Sequence, residues 1–146
     1  MRGVDLDENP GALINKLGRA MGVALDRRLR AYDVTIAQWK ILAQLWQQEG
    51  RSQVELQEAL SLEAATVTGL LQRMTAQGLI QRRADPTDKR VQRVFLTERS
   101  RALEQVLTPL LDEVTAQAWK GFTADEQDFL MRLLKRSLRN FEEGTD

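Results

Sequence analysis

Two helical patterns about three residues apart, the second running straight into a basic hairpin pattern, constrain this chain more than anything else in it. The first is QVELQEAL, opened by Ser52 and Glu55 in the S-x-x-E arrangement of a capping box, with Val54, Leu56, Ala59 and Leu60 as its inner residues. Ser61 breaks it. The second begins near Glu63 and repeats Val67, Leu70, Leu71 and Met74 at helical spacing, which marks one face for a core. Its other face carries Thr66, Thr68, Gly69, Gln72 and Arg73, small or polar side chains with nothing to bury. Gly78 offers the stop. Helix, short turn and helix in this order is the arrangement of a helix-turn-helix.

The hairpin reads LIQRR and VQRVFL around the turn ADPTDK. Alternation puts Val94 and Leu96 on one side and Val91, Arg93 and Phe95 on the other, with the tip in solvent. Two strands alone are marginally stable, so the hairpin has to lean on the helices. Net charge is zero over the whole chain, but residues 72–102 hold eight basic residues against three acidic ones, a local charge of +5 balanced by −5 elsewhere. The positive set is Arg73, Arg82, Arg83, Lys89, Arg90, Arg93, Arg99 and Arg101. Such a patch on an acidic body directs a polyanion to one surface and repels it from the rest.

Composition narrows the chemistry further. The 146 residues contain neither cysteine nor histidine, which removes disulfides, thiolate zinc sites and the usual nucleophile and base pairs. No cofactor, metal or enzymatic activity is expected. The carboxylate pair Asp85 and Asp88 is the nearest thing to a catalytic couple, and both are expected in an exposed turn without a pocket. The N-terminal MRGVDLDENPGALINK lacks the apolar centre of a signal peptide, and no window approaches a membrane span, so a cytoplasmic protein that does not contact membranes is expected.

The flanks read as long helices. Asn9-Pro10 opens one that steps through Leu13, Leu17, Met21, Leu25 and Leu29 to about Arg30, where basic residues suit a helix C-terminus. Thr35 and Gln38 form a T-x-x-Q box ahead of Trp39, Leu42, Ala43, Leu45 and Trp46. Thr97 caps a helix carrying Leu103, Val106, Leu107, Leu110, Leu111, Val114 and Ala118. After a Thr123 and Glu126 box, the last helix places Phe129, Leu130, Leu133, Leu134, Leu138 and Phe141 inward, and the acidic tail beyond is expected to fray. These flanking helices carry more apolar surface than a small winged core needs. Either one larger monomeric core absorbs it, or a second copy covers it. The expected fold is mainly α with a small β-hairpin wing, a winged helix-turn-helix plus a helical dimerisation layer. The division expected is a single domain over 1–146, with a DNA-binding lobe at 35–97 and a dimerisation region at 9–30 and 98–142.

This order of parts resembles the MarR family of bacterial and archaeal transcriptional regulators. VTIAQWKILAQL is similar to the family's second-helix opening, AATVTGLLQRMTAQGLIQRR to its recognition helix and exit, and DPTDKRVQRVFLTERSRAL to its wing and fifth helix. Asp88-x-Arg90, six residues before Leu96-Thr97, is the most specific piece, and the SlyA-like group looks nearest. The resemblance implies a homodimeric repressor on a near-palindromic operator in double-stranded DNA, each half-site facing one winged lobe. Carried over by position, Ala65, Thr66, Thr68 and Gln72 would touch bases or thymine methyls, and Gly69 either admits close backbone approach or reflects drift. Arg73 would serve phosphate or an intramolecular pair. Arg90 would enter the minor groove, oriented by Asp88, while Arg82, Arg83, Lys89 and Arg93 would grip phosphates. Ser100 stands where the family often has Gly, which leaves the local bend open. Family members are commonly relieved by small aromatic or phenolic carboxylates bound between the dimer helices and the lobe. Arg27, Arg28, Tyr32 and Trp39 are the candidates for such a pocket, although core packing is the stronger reading of Trp39. The rival is a protein-interaction module that kept the winged fold without DNA binding, a reading against which the concentrated positive charge counts.

Overall fold

The computed structural model describes residues 5–142. In chain order they form α1 (Pro10–Leu29), a single 3-10 turn (Arg30–Tyr32), α2 (Ile36–Gln47), β1 (Arg51–Ser52), α3 (Gln53–Leu60), α4 (Ala64–Ala76), β2 (Ile80–Ala84), β3 (Gln92–Leu96), α5 (Glu98–Ala118) and α6 (Ala124–Glu142). The acidic tail past 142 lies outside the described residues. The helices start where their caps dictate. Asn9 Oδ1 accepts from Ala12 N at 3.1 Å, and reciprocal capping boxes form at Thr35 with Gln38, Ser52 with Glu55 and Thr123 with Glu126. Each such cap contributes about 0.5–2 kcal/mol. Ser100, in the position whose bend was open, completes a box with Thr97 and is fully buried. The two ends that matter most for the helix-turn-helix close in left-handed backbone: Ser61 after α3 at φ 52° and Gly78 after α4 at φ 69°.

The strands form an antiparallel sheet in the order β1-β3-β2. The hairpin pairs Ile80 with Leu96 through Ala84 with Gln92, so the second expected strand starts one residue later than VQRVFL and the first reaches Ala84. The third strand is new. Arg51 pairs with Val94 and Ser52 with Arg93, and Gly50 N donates to Val94 O at 2.9 Å. Two residues are too short to show alternation, yet they are how the hairpin leans on the helix-turn-helix.

Leu29, Val34, Ile41, Leu42, Leu45, Leu56, Val67, Leu71, Met74, Leu79, Ile80, Val94, Leu96 and Leu107 make one continuous core under α2–α4 and the sheet, joined by Leu25 and Val114. Two expectations, on α3 and on α6, are corrected. Val54 faces solvent, so α3 buries only Leu56. On α5 only Leu107 and Val114 among the apolar residues are fully buried. On α6 nothing is buried: Phe129 is 56% and Leu138 63% exposed instead of inward. Leu13, Ile14 and Leu17 at the start of α1 are likewise open, while α1 packs along α5 further on. The helical periodicity was right; the start of α1 and α6 lack a covering surface among the described residues.

Candidate nucleic-acid interface

Because Val67, Leu70, Leu71 and Met74 anchor α4 in the core, the opposite side of the helix is forced outward. Ala65, Thr66, Gln72 and Arg73 are exposed there, with Thr68 and Gly69 half-exposed beside them. A Cβ at Gly69 would meet only the Arg73 guanidinium at 3.6 Å, an ordinary contact, so no steric demand within the chain explains this glycine. Both ends of α4 are held from elsewhere. At the start, Gln53 Nε2 from α3 donates to Thr68 Oγ1 at 2.7 Å. At the finish, Gln38 Nε2 donates to Gln77 Oε1 at 2.7 Å and Arg99 Nη1 donates to Gln77 O at 2.8 Å. Thr97 Oγ1 donates to Gly78 O at 2.7 Å, tying the same corner to the start of α5.

The wing is built around Asp85. Contrary to its expected exposure, Asp85 is 7% exposed, and its carboxylate accepts from Thr87 N at 2.7 Å, Thr87 Oγ1 at 2.6 Å, Asp88 N at 3.1 Å and Arg93 Nε. The Thr87 hydroxyl, the Arg93 guanidinium and the backbone N–H groups hold the Asp85 carboxyl well below the usual carboxylate range. Arg93 is correspondingly turned inward: Nη1 donates to Gly50 O at 2.8 Å and lies 3.5 Å from Glu55. It cross-links wing, β1 and α3. At the tip, Arg90 grips Asp88 in a fork, Nε to Oδ1 and Nη2 to Oδ2 both at 3.0 Å, while Arg90 N donates to Oδ1 at 3.1 Å. The fork lowers the pKa of Asp88 and raises that of Arg90. The Arg90 side chain is 90% exposed. Asp88 therefore sets the direction of a guanidinium that is otherwise in water.

The eight basic residues of 72–102 separate by partner. Arg101 pairs with Glu49 at 2.9 Å, and Arg93 and Arg99 are engaged as above. Arg83 stacks over the Phe95 ring at 4.7 Å and donates to Gln81 Oε1 at 3.2 Å. Arg82 is half-buried, with Nε and Nη2 given no acceptor by the described residues. Arg73, Arg82, Arg83, Lys89 and Arg90 are left to define the positive surface. Sequence reading missed Gln53 and Gln77 and took Gln38 only as a cap, because their contacts join elements far apart in the chain.

The four candidates for an effector pocket do not converge. Arg28 Nε pairs with Glu113 on α5 at 3.0 Å and is structural. Arg27 lines a cavity of about 560 Å³ with Arg19, Asp26, Arg30 and Ile36. Trp39 lines a different one, about 270 Å³, between α2 and α5 with Trp46, Glu104 and Leu111, and its indole N–H has no acceptor among the described residues. Tyr32 and Trp39 both pack on the core. No helix among the described residues is long and apolar enough to cross a membrane.

Residues 34–92 match the model of the MarR family, a span that runs from two residues before α2 to the first residue of β3. The chain is 26% identical over 129 residues to YybA of Bacillus subtilis, an uncharacterised HTH-type transcriptional regulator, covering 88% of this chain and 86% of YybA. It is 34% identical over 112 residues to TtmR of Methylorubrum extorquens, an HTH-type transcriptional regulator, with 77% of this chain aligned but only 56% of TtmR. Among solved structures, a mutant of MarR from E. coli in complex with operator DNA superposes with a TM-score of 0.82 at 31% identity, covering 88% of this chain and 92% of that one. With the winged lobe, the order of its elements and a relative of that identity matched over nearly its whole length, the chain belongs to the MarR family of transcriptional regulators.

Proposed function

We propose that this protein is a homodimeric repressor that binds a near-palindromic operator in double-stranded DNA. The Arg90–Asp88 fork is the observation that carries the reading: a fully charged guanidinium, aimed by its own carboxylate, stands in water at the tip of a rigidly braced wing. Such a group matches the narrow, electronegative minor groove. In this reading α4 enters the adjacent major groove with Ala65, Thr66, Thr68, Gly69 and Gln72 toward bases. Arg73, Arg82, Arg83 and Lys89 meet phosphates, and Arg93 acts as a brace for the wing in place of the phosphate contact expected of it.

The lobe at 35–97 reads DNA, and the helices at 9–30 and 98–142 pair two copies. The open apolar faces of α6 and of the start of α1 support that pairing, since so much uncovered apolar surface favours a partner. Relief by a small aromatic carboxylate belongs to the same reading. The α2–α5 cavity supports it by offering the Trp39 and Trp46 rings as walls for an aromatic ligand. Placement with the SlyA-like members rests on sequence resemblance, and a cytoplasmic location goes with the proposed role.

The test is a gel shift against the DNA flanking the protein's own gene, repeated across salt concentrations. A narrow preferred site with affinity falling steeply as salt rises is expected; equal, weak binding to all duplexes would return the chain to the interaction-module reading. Calorimetry with salicylate tests the effector: heat together with weakened operator binding is expected, and neither effect would remove relief by such acids from the proposal.

A further inference from the structure

We propose that Gln53 orients the Thr68 hydroxyl as a hydrogen-bond donor, so that α4 recognises an acceptor on the base edge opposite this position. The inference rests on α4 being the groove-entering helix and adds a polarity to one of its contacts. Gln53 opens α3, yet its side chain crosses to α4, where Nε2 donates to Thr68 Oγ1 at 2.7 Å and to Ala64 O at 3.5 Å. A carbonyl oxygen can only accept, so Ala64 O at 3.5 Å favours the amide nitrogen of Gln53 on this side over its oxygen. Thr68 Oγ1 is thereby an acceptor toward Gln53, and its own proton must go elsewhere.

Inside a helix the usual outlet for a threonine proton is the carbonyl four residues back. Thr75 uses it, donating to Leu71 O at 2.7 Å. Thr68 does not. The carbonyl four residues before it is Ala64 O, which Gln53 approaches, and no acceptor among the described residues takes the Thr68 proton. Thr68 is half-exposed beside the outward residues of α4. Whatever lies against that face meets a preset donor. In the major groove the complementary groups are guanine N7 and O6, adenine N7 and thymine O4, whereas the cytosine amino group offers a donor. Gln53 touches no base in this scheme; it is a positioning residue for Thr68.

The experiment first selects the preferred duplex from a random library with the full-length protein. Affinities are then measured for duplexes that lack one acceptor at a time: 7-deazapurines for N7, 2-aminopurine for guanine O6 and a thymine analogue without O4. For the wild type, one deletion per half-site is expected to weaken binding about three- to tenfold, the size of one hydrogen bond. Thr68→Val and Gln53→Met should each erase that penalty, the double variant should add nothing to either, and Thr68→Ser should keep it. A purely structural role of Gln53 would lower affinity for all duplexes alike and leave the penalty intact, which would overturn the proposal. So would a wild type indifferent to every deletion. Failure of the wild type to select any duplex would instead refute the operator reading on which this one stands. Thr68→Val provides the same readout if Gln53→Met does not fold.

Discussion

The winged lobe and the terminal helices obey the same periodicity and end in opposite states. α4 buries Val67, Leu70, Leu71 and Met74 against the rest of its lobe, so its polar side has one available direction. α6 carries Phe129, Leu130, Leu133, Leu134 and Leu138 at comparable spacing and buries none of them. An amphipathic helix specifies that one face needs cover, but the pattern does not say whether the cover is supplied by the same chain. The lobe is self-sufficient because α2, α3 and β2 pack against α4, while Arg99 of α5 holds its C-terminal end. The start of α1 and all of α6 instead leave their stripes without full cover from the rest of the described chain.

The sharpest way to break this comparison is to remove cover where it exists. Leu71→Ala, at a site 1% exposed, should lower stability by about 2–5 kcal/mol in urea denaturation. A loss under about 1 kcal/mol would mean that the lobe repacks freely and is not the rigid half of the pair. The second test places a charge on the open face. Phe129→Lys should shift the dimer–monomer midpoint in sedimentation by about a hundredfold in concentration while the circular dichroism of the lobe is retained. Unchanged association would locate the dimer contact elsewhere.

A smaller effect distinguishes the wing tip from its base. Arg90→Ala should weaken operator binding about tenfold and reduce the salt slope by about one, with thermal stability unchanged. An unaltered affinity would sink the minor-groove assignment. The base of the wing answers to pH. Asp85 has its carboxyl held below the ordinary range by Thr87, Arg93 and backbone N–H groups, so its contribution to stability is complete above the unfolded value of about 3.9 and is lost as pH falls through the lower folded value. Hydrogen exchange at the Thr87 and Asp88 amides should therefore stay slow, once corrected for intrinsic rates, down to about pH 4 and accelerate below it. Asp85→Asn should raise their exchange roughly tenfold at neutral pH and remove the acid transition. A wild-type wing with no such transition would show that Arg93 and Asp85 do not brace it.

Much of the lobe was legible because its signals are local. The capping boxes at Thr35 and Ser52 depend on side chains three residues apart, and the α4 stripe depends on helical repeat, so both can be read without knowing the fold. The Asp88-x-Arg90 fork is equally local and took the form that the resemblance implied. The misread parts are those whose neighbours are distant in the chain. Asp85 looked like a solvated turn residue, since the Arg93 that draws it inward faces it only after the hairpin has folded. Arg93 counted as free positive charge until Gly50 and Glu55 were brought beside it. β1 is two residues long, too short for any period, and exists because β3 offers it an edge.

Taken by itself, the sequence determined the helices and their caps, the helix-turn-helix order, the basic wing and the absence of cysteine and histidine chemistry, because each follows from residue type or from spacing within one or two turns. Tertiary structure alone decided which arginines face solvent, how Gln53, Gln38 and Gln77 hold the ends of α4, and that the α6 stripe stays uncovered among the described residues. Those outcomes depend on what stands opposite each side chain, and a facing partner is a property of the fold, not of local spacing.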